Sequence, residues 1–198
     1  MPYERDHVDL QCLILEDTAF VLSCCERISA ALADDYLVIA CGSRFSGKYP
    51  DNTCLSAVQC GDSIICREFS LDSQVKKYCH EKHISLIPVN QGYAKCSCAK
   101  VAENALITAD KGIINGLKHT DIDTLPIGQG SVLLDGADYG FIGGASGYDP
   151  DTRTIYFCGD IEKHPDARRI KDFCTEYAAN IICLSDDELI DIGGIIFC

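Results

Sequence analysis

The segment DIGGIIF, residues 191–197, lies without gaps beside FIGGASG, residues 141–147, and that pairing decides how the rest of the chain is read. The same alignment takes in DLQCLIL from Asp9, DNTCLSA from Asp51 and KCSCAKV from Lys95. The fourth position is small in all five copies: Cys12, Cys54, Cys98, Gly144 and Gly194. Successive copies begin 42, 44, 46 and 50 residues apart, a drift that surface loops absorb. A recurring period of this length marks a repeat architecture, and five copies of one strand-like segment are expected.

What separates the copies is regular too. Each of the first four is followed by a β-rich run (TAFVLS, SIIC, NALITAD, TRTIYFCGD), then a helical stretch, then a second apolar run (YLVIAC, ISLIPV, IDTLPI, NIICLS). The unit reads strand, strand, helix, strand. Helix starts are marked by Ser70 and Asp72 before SQVKKYCHEK, by Asp110 before KGIINGLK, and by Pro165 at the opening of PDARRIKDFCTEYAA. In that last helix Ala167, Ile170, Phe173, Cys174 and Tyr177 make one apolar stripe facing a sheet. Strand ends gathered about one centre leave no room for a large side chain, which accounts for the small fourth position and predicts an α/β propeller spanning residues 1–198 as one domain. A doubly wound sheet explains neither the small position nor the repeated hairpins.

Composition bounds the function. Seventeen basic against thirty acidic residues give a formal charge of −13, which repels phosphate backbones and anionic lipid, so nucleic acid and membrane surfaces are excluded as partners. A cationic small molecule or a basic protein surface fits the same field. MPYERDHVDL at the start has no apolar stretch of signal-peptide type and no run is long enough to span a bilayer, so a cytoplasmic protein is expected. Fourteen cysteines are numerous, yet Cys24-Cys25 are adjacent, Cys96 and Cys98 form C-x-C, and paired C-x2-C knuckles are absent, so no metal and no cofactor are expected. Most of the thiols sit in apolar runs and read as small core hydrophobes. YGFIGGASG lacks the G-x4-G-K-[ST] pattern of a phosphate cradle, and its glycines read as sites of close backbone approach.

KYPDN (48–52), VNQGYAKCSCAKV (89–101), ALITADKGI (105–113), LDGADYGFIGGASG (134–147), KHPDARRIKDF (163–173) and LSDDELIDIGGIIF (184–197) resemble a poorly characterised bacterial family of the guanidine-group-modifying, or pentein, fold. The resemblance implies a pseudo-five-fold α/β propeller in a family without an assigned activity. Members of that family are longer at the N-terminus, so part of the first repeat is expected to be missing. The ring would then be open, or covered by a second copy in a homodimer through its open seam.

In enzymes of that fold, strand ends near the axis carry a cysteine nucleophile, a histidine acid/base and carboxylates that grip a guanidinium. Carried over by position, Gly193, Gly194 and Cys198 keep the spacing of the nucleophile motif, with Phe197 where its histidine stands. The chain's own α-carboxylate on Cys198 opposes its activation. Cys96, beside Lys95 in a strand end of the third copy, is the alternative thiol, and His164 is the candidate base or a helix cap. Asp9, Asp51 and Asp191 share the first position of their copies, Asp138 lies three residues before Phe141, and together with Asn52 and Lys95 they form the expected ligand-binding set. Converging carboxylates would raise one another's pKa until a cation neutralised them. His7 reaches the axis only if the N-terminus is ordered.

Three functions follow: a binding protein for a small cationic, guanidino-type ligand; a cysteine-dependent hydrolase or amidinotransferase on guanidino compounds; and a non-catalytic protein-binding module. Thiol or metal chemistry of the surplus cysteines ranks below them.

Overall fold

The computed structural model describes residues 7–42 and 48–197. Four three-stranded sheets follow one another along the chain, each built from the predicted strand, strand, helix, strand unit. The first unit comprises β1 (Cys12–Leu15), β2 (Thr18–Leu22), α2 (Glu26–Leu32) and β3 (Leu37–Cys41). In the second, β4 (Ala57–Cys60), β5 (Ser63–Cys66), α3 (Ser73–Lys82) and β6 (Ser85–Pro88) repeat the pattern. The third has β7 (Cys98–Ala102), β8 (Ala105–Thr108), α5 (Lys111–Leu117) and β9 (Asp123–Pro126), and the fourth β10 (Ser146–Asp149), β11 (Thr154–Phe157), α6 (Ala167–Glu176) and β12 (Asn180–Cys183). In every unit a hairpin pairs the first two strands antiparallel, and the helix returns the chain to pair the third parallel to the second.

Burial explains the sequence of each strand. The middle strands are almost continuously apolar because both their faces are covered: Ala19, Phe20, Ile64, Ile65, Leu106, Ile107 and Ile155 have no solvent exposure. The third strands are edges, and their residues are largely half-buried or exposed. Asp72 caps α3 by accepting from the Gln74 N–H at 2.8 Å, and Asp110 caps α5 by accepting from the Ile113 N–H at 2.9 Å. The α6 stripe of Ala167, Ile170, Phe173 and Cys174 is buried as predicted.

The apolar clusters run from each unit to the next. One joins β1 and β2 to the second unit through Leu15, Phe20, Leu55 and Ile64. Another joins the second and third through Ile65, Leu106 and Ile113, and a third joins the third and fourth through Ile107, Ile155 and Phe157, reaching on to Leu189. Ile196 packs against the cluster of Cys12, Val21 and Leu32, so the C-terminal segment leads back from the fourth unit to the first.

Two expectations are corrected. The first unit has all four of its elements; the copy without a hairpin or helix is the fifth, residues 191–197, which forms no strand. The copies are also not strands throughout. Their first residues make helical turns, α1 (Val8–Gln11), a 3-10 turn (Asp51–Thr53) and α4 (Ala94–Ser97), and the strand begins only afterwards. Among the described residues no helix is long and apolar enough to cross a membrane.

Candidate functional site

The five turns meet, and backbone hydrogen bonds tie four of them together. The Gly144 N–H donates to the Cys96 carbonyl at 2.9 Å, the Gly194 N–H to the Gly144 carbonyl at 2.7 Å, and the Asp9 N–H to the Gly193 carbonyl at 2.9 Å. The second copy joins through Ser56, whose Oγ accepts from the Lys95 N–H at 3.2 Å. Close approach is what the glycines allow. A Cβ on Gly143 would lie 2.3 Å from the Lys95 carbonyl oxygen, and one on Gly144 would lie 1.9 Å from Asp191 Oδ1. YGFIGGASG is therefore a packing surface for its neighbours, as its sequence implied.

Two carboxylates are buried at this centre. Asp191, 4 % exposed, accepts from the Phe141 N–H at 2.9 Å and the Gly193 N–H at 3.0 Å, with His7 Nδ1 3.8 Å away. Burial pushes its pKa up, and those two N–H groups and His7 pull it back. Asp9, 2 % exposed, has no such partners: neither oxygen accepts a hydrogen bond of ordinary geometry from a described residue. Burial drives its pKa up, the weakly donating Cys96 thiol and the charge of Lys95 oppose this, and the charge of Asp191 reinforces it.

Cys96, 2 % exposed, lies in α4 rather than on a strand, with its Sγ 3.9 Å from Ser56 Oγ. Its thiol is pushed well above the ordinary value, first by burial and then by Asp9 and Asp191. An activated nucleophile needs the opposite shift. Cys198 lies outside the described residues. His164 is at a different place: it lines a cavity of about 20 Å³ with Ser97 and Asp110, and its Nδ1 accepts from the Asp166 N–H at 3.0 Å. It caps a turn, and burial pushes its pKa down, so it is neutral at physiological pH.

A cleft of about 370 Å³ opens beside the centre, lined by residues of the first, second, third and fifth copies and by Tyr148 and Pro150 of the fourth unit. Asp9, Glu16, Lys95 and Lys100 supply charge; Leu13, Val58, Tyr148 and Ile195 are among the residues that make it apolar. Burial, and then the neighbouring Lys95, lowers the pKa of Lys100. The predicted set therefore divides. Asp9, Lys95, Cys96 and Asp191 come together. Asn52 is buried but its Nδ2 donates to the Tyr93 hydroxyl at 3.2 Å, in an aromatic row where Tyr93 stacks between Tyr49 and Phe141. Asp51 is half-buried on the 3-10 turn, and Asp138 is exposed in the loop before Phe141 and does not join the centre.

Sequence reasoning passed over Ser56 and Lys100 and left His7 outside the binding set. His7 reaches the centre because α1 follows it at once, folding it against Asp191; its place two residues before a repeat start was the available signal. Among the described residues no group of three or more His, Cys, Asp or Glu is arranged to hold a metal ion.

Four sheets of this connectivity make an α/β fold that solved structures share. A mutant of DDAH from Pseudomonas aeruginosa complexed with citrulline matches with a TM-score of 0.57 at 12% identity, over 89% of this chain and 68% of that one. An adduct of dimethylarginine dimethylaminohydrolase with 4-chloro-2-hydroxymethylpyridine matches with a TM-score of 0.53 at 10% identity, over 92% and 72%. At such identities the likeness is one of fold. The chain itself belongs to the family of unknown function DUF6873, whose profile matches residues 2–196. No match was found among curated proteins.

Proposed function

We propose that the central cleft binds a small cationic ligand of guanidino type, with Asp9 as its anchor, in a pseudo-five-fold propeller whose fifth place is taken by residues 189–197. The observation that carries this is Asp9 itself: both carboxylate oxygens are buried, have no N–H or O–H donor among the described residues beyond the weakly donating Cys96 thiol, and lie at the wall of a cleft. An uncompensated buried carboxylate is costly, and a carboxylate fits the fork of a guanidinium through two parallel hydrogen bonds. The propeller reading is supported by the order of the packing, which passes through four units and returns to the first by way of Ile196. The structures of like fold, a dimethylarginine dimethylaminohydrolase and a DDAH complexed with citrulline, make the guanidino class the first to try.

Binding is favoured over hydrolysis because the thiol at the centre is held in its protonated form by burial and two carboxylates. Below the raised pKa of the unliganded Asp9 carboxyl a cation displaces its proton, so affinity rises with pH until that pKa is passed.

Thermal unfolding at pH 8 with agmatine, arginine and methylated arginines tests the reading. A saturable rise in Tm with at least one of them is expected, since a ligand that binds only the folded state stabilises by mass action. The rise should vanish in Asp9→Asn and survive in Cys96→Ala. No shift at millimolar concentration with any of the three, or a shift unchanged in Asp9→Asn, overturns it.

A further inference from the structure

The adjacent thiols Cys24 and Cys25 lie on the outside of the first unit, between β2 and α2, and play no part in the central cleft. We propose that they form a dithiol site that captures trivalent organoarsenicals, the two sulfurs closing on one arsenic atom while its organic group lies in the neighbouring apolar groove.

Geometry selects a bridged pair over a disulfide. The sulfurs are 3.9 Å apart. A pyramidal arsenic(III) centre that holds two sulfurs at about 2.3 Å with an angle of about 95–100° places them about 3.4–3.5 Å apart, so the pair closes on one bridging atom with a side-chain movement of about half an ångström. A disulfide requires sulfurs at about 2.05 Å and Cα atoms usually separated by more than about 4.4 Å, whereas neighbouring Cα atoms across a trans peptide are about 3.8 Å apart. The Cys25 thiol is also pushed up to about 11, by burial first and then by Cys24, which leaves little thiolate to begin disulfide formation.

The number of donors selects the element. No third Cys, His, Asp or Glu among the described residues completes a metal-holding group here. A zinc ion, which takes four protein ligands in a structural site, would be left half-coordinated. An arsenic(III) centre forms three bonds and brings its own carbon as the third. Its exchange is balanced: RAs(OH)2 and two thiols give RAs(SCys)2 and two waters. Two As–O bonds break, two As–S bonds form, each thiol proton leaves with a hydroxide, and nothing is oxidised or reduced.

The surroundings suit the organic group. Val8, Ile28, Leu32 and Ile196 line the groove against which the two thiols sit. Gln11, whose Oε1 accepts from the Cys25 thiol at 3.2 Å, orients that sulfur. Accessibility makes the pair selective. Cys24 is exposed and Cys25 half-buried, while the other described cysteines are buried apart from Cys183 on β12.

The test uses the folded full chain, freed of reducing agent and treated with phenylarsine oxide, with adducts counted by intact-protein mass spectrometry. One phenylarsenic per chain is expected. It should resist excess 2-mercaptoethanol and be stripped by 2,3-dimercaptopropanol, the behaviour of a two-sulfur chelate. Cys24→Ser, at an exposed position, and Cys25→Ser should each lose the monothiol-resistant adduct entirely, and Cys183→Ser should keep it. A resistant adduct in Cys24→Ser, or none on the wild-type chain, overturns the proposal.

Discussion

Asp9 and Asp191 occupy the same position of two copies of one repeat, are buried to nearly the same degree, and live in opposite circumstances. Around Asp191 the chain supplies two backbone N–H groups and an imidazole, with glycines at 140 and 144 clearing space for the carboxylate. Around Asp9 it supplies a weak thiol donor and the charges of Lys95 and His7, but no backbone N–H. A buried carboxylate that is fully hydrogen-bonded holds its surroundings in place, and one left open is a place where something else can bind. Asp191 is accordingly the structural member of the pair, and Asp9 the one on which the proposed binding rests.

The sharpest way to break this comparison is to remove the space that Asp191 occupies. In Gly144→Ala the new Cβ would stand 1.9 Å from Asp191 Oδ1, forcing the carboxylate out of its hydrogen bonds. A loss of more than about 3 kcal/mol is expected in urea denaturation, near the top of the range for overpacking and buried polar disruption. Gly194→Ala, the same position of the fifth copy, meets nothing closer than 3.5 Å but sits at a φ of +81°, so only about 1–2 kcal/mol of backbone strain is expected there. Equal losses at the two glycines would show that Asp191 is not what Gly144 accommodates.

Next in size is the carboxylate itself. Asp191→Ala leaves the buried N–H of Gly193 and the part-buried N–H of Phe141 without their acceptor and should cost about 2–3 kcal/mol. Asp9→Asn should cost nothing at neutral pH, since no N–H or O–H donor among the described residues depends on its carboxylate. If Asp9→Asn proved the more damaging, the assignment of roles would be reversed.

The smallest effect is in pH. Burial raises the pKa of Asp9 in the folded chain, so its protonated form contributes stability at low pH, and that contribution is lost as pH rises through the folded value. Asp9→Asn should match the wild type at the acid end of the folded range, gain on it as pH rises from the ordinary carboxylate value through the raised folded one, and hold that gain above it. A stability difference between the two that stays flat with pH would place Asp9 in contact with a donor after all.

Much of this was legible beforehand. The unit of strand, strand, helix, strand, its four full occurrences and the helix caps Asp72 and Asp110 follow from apolar periodicity and capping chemistry, which are local. The turns at the repeat starts were misread as strand. DLQ, DNT and the AKCS that overlaps the third start carry no strong local preference, and they coil because the strand ends must clear one another. Asp138 was wrongly grouped with the axial carboxylates because spacing along a loop does not fix where the loop runs.

By itself, the sequence determined the repeat, the identity of its small fourth position and the acidic character of the whole, because each is written in residue type and interval. Which of two equivalent aspartates would be satisfied was decided only by tertiary structure. That outcome depends on where the Phe141 and Gly193 N–H groups point and on His7 being folded back against Asp191, relations among residues as many as 184 positions apart that no local pattern records.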